Sequence, residues 1–158
     1  MGKTNKILDE TLHNTDDMHE DDCLFCKIAQ GKLPSKKIYE DEDVLAFMDI
    51  RPVNPGHTLI IPKQHHRSFL EMPKHSIEKI FTTAQDITKA IIEGVGAEGV
   101  NIGMNIEKAA GQVVFHAHLH IMPRFSNDGH RLWDGKPYQD GQAEEIHKRI
   151  TDKLKKKQ

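Results

Sequence analysis

Apolar residues recur along this chain with two different periods, and the stretches that carry them alternate. Leu24, Phe25 and Ile28 make one face of a short helix that Gly31 stops. Lys37 to Glu40 and Val44 to Asp49 read as a hairpin with acidic residues at its turn. The loop Arg51-Pro52-Val53-Asn54-Pro55-Gly56 leads into a buried strand, His57 to Pro62. Pro73 fits the first position of the next helix. There Ile77, Ile80, Phe81, Ala84, Ile87 and Ile91 form one apolar face, ended by Gly94 and Gly96. Gly99 to Asn105 reads as a strand, Glu107 to Gln112 as a loop and Val113 to Met122 as a further strand. A last helix carries Ala143, Ile146, Ile150 and Leu154 on one face, with acidic residues in its first turn and lysines in its last, as the helix dipole favours. These elements predict an α+β domain built on a mostly antiparallel sheet. Residues 1–22 are polar and aperiodic and read as a flexible tail, which leaves 23–158 as one domain.

Composition narrows the function more than the fold. Among 158 residues, Lys plus Arg is 22 and Asp plus Glu is 24, without the basic excess of a dedicated nucleic-acid binder. No apolar run approaches the roughly 20 residues of a membrane span, and no secretory signal follows Met1. Two cysteines, too few for a disulfide scaffold, point to a reducing cytoplasm.

Histidine is the unusual residue, with 11 copies, several of them in or near strand-like segments. In Phe115-His116-Ala117-His118-Leu119-His120-Ile121 the alternation has period two, so a strand would put three histidines on one face and Ala117, Leu119 and Ile121 on the other. A merely solvated face would more commonly carry Lys, Glu or Thr. Over four residues His116 and His120 would stand about 13 Å apart at the backbone, too far to share one metal easily. Two neighbours could still share a metal; the spacing favours instead a division of labour, with one histidine on a metal or structural contact and another facing a substrate. Gly111-Gln112-Val113 immediately before it places a glycine where backbone could approach a phosphate. Cys23-x-x-Cys26 has zinc-ligand spacing. Taken alone, the pair leaves a redox motif or two free thiols open as well.

The pattern His116-Ala117-His118-Leu119-His120-Ile121-Met122 resembles the signature of the histidine triad family of nucleotide hydrolases and transferases. Cys23-Leu24-Phe25-Cys26-Lys27-Ile28, Phe47-Met48-Asp49-Ile50-Arg51-Pro52, Pro55-Gly56-His57-Thr58-Leu59-Ile60-Ile61-Pro62-Lys63, Asn105 and Ala110-Gly111-Gln112 extend it in order, and its nearest branch is the Hint-like proteins in their bacterial form. The resemblance implies a five-stranded antiparallel sheet with two main helices, joined into ten strands in a homodimer. The segment Asn127 to Tyr138, with Trp133, would complete the neighbouring site.

The resemblance also implies roles. His118 would attack the α-phosphorus of a purine nucleotide, forming a nucleotidyl-histidine that water cleaves. His120, with the amides near Gly111, Gln112 and Val113 and with Asn105, would hold phosphoryl oxygens. Asp49 would bind the ribose, His57 would support the triad, and Leu24, Phe25, Ile28, Phe47 and Ile50 would line the base pocket. Cys23, Cys26, His65 and His116 would hold a structural zinc, with His66 a competitor for His65, and the chemical step would need no cofactor. Val113 departs from the Ser or Thr of many relatives, whose hydroxyl assists the leaving group. The activity this implies is a purine nucleoside phosphoramidase acting on AMP derivatives. Alternatives are a dinucleoside polyphosphate hydrolase, a nucleotide-binding regulatory protein with incidental turnover, and a metallohydrolase using His116 and His118, which chelation would silence.

Overall fold

The computed structural model describes residues 22–156, so the expected tail lies outside the described residues except for Asp22. Contacts divide the chain into two units, one up to Asp128 and one from Gly129. The first holds α1 (Leu24–Ala29), β1 (Lys37–Glu40), β2 (Val44–Met48), β3 (Thr58–Pro62), α2 (Lys74–Val95), β4 (Gly99–Gly103) and β5 (Leu119–Arg124). Its five strands form one sheet in the order β1-β2-β3-β5-β4, antiparallel at every pairing. In the second unit α3 (Gln142–Lys155) follows an exposed stretch in which Trp133 is 90% exposed.

Both faces of the sheet are covered. Val44, Ala46, Ile60, Leu119 and Ile121 pack with Ile80, Ala84, Ile87 and Ile91 of α2. The alternate residues Leu45, Phe47, Leu59 and Ile61 pack with Leu24, Phe25 and Ile28 of α1. Strand alternation thus builds two cores from single segments. It also fixes which side of β5 can face a ligand, because His120 pairs with Leu59 on the α1 side. Phe81, expected on the buried face of α2, is 46% exposed, since the buried spacing of 4, 3 and 4 leaves it beside the stripe. Pro73 caps α2 one position earlier than expected, and Gly94 lies inside the helix, which closes on left-handed Gly96.

The strand expected over Val113 to Met122 starts only at Leu119. Pairing between β3 and β5 ends at Ile60 with Leu119, and Pro62 further along β3 has no N–H to offer a longer ladder. The chain before Leu119 is held by other means. Ala117 donates its N–H to the His66 carbonyl, and Gln112 donates its amide to the Val114 carbonyl.

Gly56, at the entry to β3, has φ +90°, and a Cβ there would stand 3.0 Å from Val95 Cγ1 and 3.3 Å from Pro123 Cγ. Gly56→Ala is expected to cost about 2 kcal/mol from backbone strain and crowding together. Chemical denaturation measures it, and an unchanged midpoint would contradict the argument.

Candidate active site

A cleft of about 270 Å³ opens on the α1 side of the sheet. Its apolar wall is made by Leu24, Phe25, Ile28, Phe47, Leu59 and Val114, and its polar end by Asp49, His118 and His120. Ile50, Gly111 and Val113 also line it, as expected from the sequence. Asn105 and Gln112 do not: they brace the neighbouring loop. Asn105 Nδ2 donates to the Gly111 carbonyl at 3.2 Å. The Gln112 side chain donates to the Arg67 and Val114 carbonyls and accepts from Glu107 N–H. The Gly111 and Gln112 amides, expected to face a phosphate, donate to the Lys108 and Glu107 carbonyls. What the loop supplies is the left-handed Gly111, where a Cβ would meet Asn105 at 3.4 Å. Its first residue, Glu107, takes φ 68°, and its carboxylate accepts from both terminal guanidinium nitrogens of Arg67.

Hydrogen-bond partners assign the histidine tautomers. His118 Nδ1 lies 2.6 Å from the His116 carbonyl, which only accepts, so Nδ1 carries the proton and Nε2 keeps its lone pair. Val53 N–H donates to His57 Nδ1 at 3.1 Å. His57 Nε2–H therefore donates to His120 Nδ1 at 3.0 Å, and the proton of His120 sits on Nε2. That Nε2 is buried with no partner of its own. The His118 and His120 rings are 4.9 Å apart, so a lone pair and an N–H donor sit side by side in the cleft.

Burial lowers the pKa of His57, opposed by the Asp49 carboxylate, and of His118, and pushes His120 down to about 3. In an unfolded chain these groups titrate near pH 6.5. Below that pH the unfolded state binds more protons, so the stability that neutral His57 and His120 contribute is full above about pH 6.5. It is lost as pH falls toward the folded values. Thermal melts between pH 8 and 4 are expected to be level at first and then decline; a rise on acidification would contradict this.

His116 turns the other way. Its Nε2–H donates to the Pro62 carbonyl at 2.8 Å, which points the Nδ1 lone pair at Cys23 and Cys26 Sγ, each at 3.4 Å. His65 Nδ1 is 3.3 Å from Cys26 Sγ, and all four donor atoms lie within 4.8 Å of one another. A tetrahedral zinc with bonds of about 2.3 Å to sulfur and about 2.0 Å to nitrogen sets such pairs about 3.5 Å apart, so the donor set fits one. The carbonyl on His116 Nε2 is the second partner that orients metal-bound imidazoles. His66 is outside this group. Asp49, His57 and His120 also cluster. The Val53 N–H takes the His57 Nδ1 lone pair and His57 Nε2–H takes that of His120 Nδ1, so the two rings offer no free lone pairs here, with the Asp49 carboxylate 3.6 Å from His57 Nδ1.

Sequence reasoning missed Pro34, Ser35, Met48, Arg51, Leu59 and Val114 on the cleft wall. Leu59 could have been found, since it pairs with Phe47 on one sheet face. Ser35 sits in an aperiodic loop and carried no signal.

An imidazole with a free Nε2 lone pair beside a second histidine donor, at the end of an apolar cleft, makes a site suited to nucleotides. Residues 30–127 match the HIT domain, and the chain belongs to that family. It is similar to a crystal structure from Streptococcus mutans, with 41% identity and a TM-score of 0.80, covering 92% of this chain and 91% of that one. A zinc-bound histidine triad family protein from Mycobacterium smegmatis is 35% identical, with a TM-score of 0.67 over 89% of this chain and 100% of that one. An adenylylsulfatase of Arabidopsis thaliana is 40% identical over 123 residues, 78% of this chain and 59% of that protein. As a HIT protein the chain is of a nucleotide-binding, hydrolase type. Among its described residues no helix is long and apolar enough to cross a membrane.

Proposed function

We propose that this chain hydrolyses purine nucleoside phosphoramidates and related AMP derivatives through a nucleotidyl-histidine on His118. The observation that carries the reading is the 2.6 Å bond from His118 Nδ1–H to the His116 carbonyl, which leaves Nε2 basic and fixed. Its lone pair attacks the α-phosphorus. The P–N bond breaks with its electron pair on nitrogen, which takes a proton from solvent. Attack places positive charge on the imidazole, and the His116 carbonyl stabilises it through Nδ1–H. His120 Nε2–H donates to a phosphoryl oxygen, and Asp49 accepts from the ribose hydroxyls. Water then attacks phosphorus and gives up a proton to solvent, and the N–P pair returns to His118, leaving AMP and the neutral imidazole.

Cys23, Cys26, His65 and His116 hold a structural zinc in this reading. Four protein ligands would close the shell of such a metal, and ligation there would steady His116, whose carbonyl orients His118. The protein works in the cytoplasm as a homodimer.

Adenylyl sulfate is the second substrate reading, favoured by Val113. Sulfate leaves as a stable anion and needs no hydroxyl to assist it, and one relative is named an adenylylsulfatase. Steady-state assays with adenosine 5′-phosphoramidate and with adenylyl sulfate rank the two readings by kcat/KM. AMP release from at least one is expected, without added metal. Release from neither overturns both.

A further inference from the structure

Among the described residues, four buried side-chain polar atoms lack a hydrogen-bond partner, and two of them, Ser35 Oγ and His120 Nε2, belong to residues on the wall of the same cleft. A buried hydroxyl without a partner is a cost that native chains seldom carry away from a functional site. For His120 the proposed function supplies the partner, a phosphoryl oxygen. Nothing in the fold supplies one for Ser35.

Its position in the cleft identifies what would. His118 and His120 occupy the phosphoryl end, and Asp49, whose Oδ1 takes the Arg51 N–H at 2.8 Å, the ribose position. Two further polar side chains line the wall, Arg51 and Ser35, and of these Ser35 is the one whose polar atom is buried without a partner; it shares the wall with the apolar Leu24, Phe25, Ile28, Pro34 and Phe47. A flat base with polar edge atoms would bury its faces against this wall and still need one hydrogen bond at its rim. A serine hydroxyl rotates, and it both donates and accepts.

We propose that Ser35 is the base-reading residue of the cleft, its hydroxyl hydrogen-bonding the exocyclic amine edge of a purine. The inference rests on the nucleotide reading of the site given above. It has an unusual corollary: removing the hydroxyl deletes no bond in the free protein, so Ser35→Ala weakens ligand binding without weakening the fold.

The test is titration calorimetry on wild type and Ser35→Ala with AMP and with purine riboside 5′-monophosphate, which lacks the amine, alongside thermal melts of the free proteins. One neutral hydrogen bond predicts that wild type binds AMP about 3- to 10-fold more tightly than the analogue. The variant is expected to lose that preference through AMP alone and to melt no lower than wild type. Equal weakening of both ligands, no weakening of AMP, or a variant that melts several degrees lower would overturn the assignment and leave the proposed function standing. Failure of wild type to bind either nucleotide would overturn both together.

Discussion

His118→Ala is expected to lower kcat/KM on an adenosine phosphoramidate by roughly 10⁴-fold or more, because the covalent route has no other nucleophile. His120→Ala, which removes a hydrogen-bond donor and leaves the attacking atom in place, is expected to cost about 10²- to 10³-fold. The order of the two losses matters more than their size. His57 and Asp49 touch the His120 side of the site, whereas the His118 tautomer depends only on the His116 carbonyl. A His120 variant slower than the His118 variant would move the chemistry to the other ring. Steady-state kinetics on purified, folded variants checks this.

The second large effect concerns the metal. Cys26→Ala is expected to reduce bound zinc from about one per chain to near none. The fold should lose about 3 kcal/mol or more, since Cys23, His65 and His116 would be left buried or half-buried without their ion. For a domain of this size that is a fall in melting temperature of roughly 10 °C. His65→Ala should behave alike and His66→Ala should retain the metal, because only His65 brings Nδ1 to Cys26. Metal analysis with thermal melts decides. Zinc retained by the His65 variant and lost by the His66 variant would contradict the ligand set.

Much of this was legible in the sequence because the fold writes strong periods. The hairpin β1–β2, the strand β3 and the stripe Ile80, Ala84, Ile87 and Ile91 follow from local patterning. The His-x-His-x-His repeat located the triad, and the distance along it separated His116 from His120. Period two nevertheless overran the true strand. The segment before Leu119 bends instead of pairing, with His116 N–H turning back to the Val114 carbonyl at 2.9 Å, and the Pro62 that ends the ladder belongs to another strand. The glycine before the triad suggested backbone amides facing a phosphate, and the pairing of the Gly111 and Gln112 N–H groups with the Lys108 and Glu107 carbonyls follows from a left-handed turn that residue types alone do not encode. The choice of His65 over His66 depends on the path of one loop past α1, which adjacent identical residues do not encode.

The most direct test of the account is intact-protein mass spectrometry after rapid acid-free quenching of wild type, His118→Ala and His118→Gly with an adenosine phosphoramidate. The account predicts a transient adenylyl adduct on wild type, mapped to His118, and none on either variant. Turnover by wild type with no adduct at any time, together with an active His118→Ala, would contradict it.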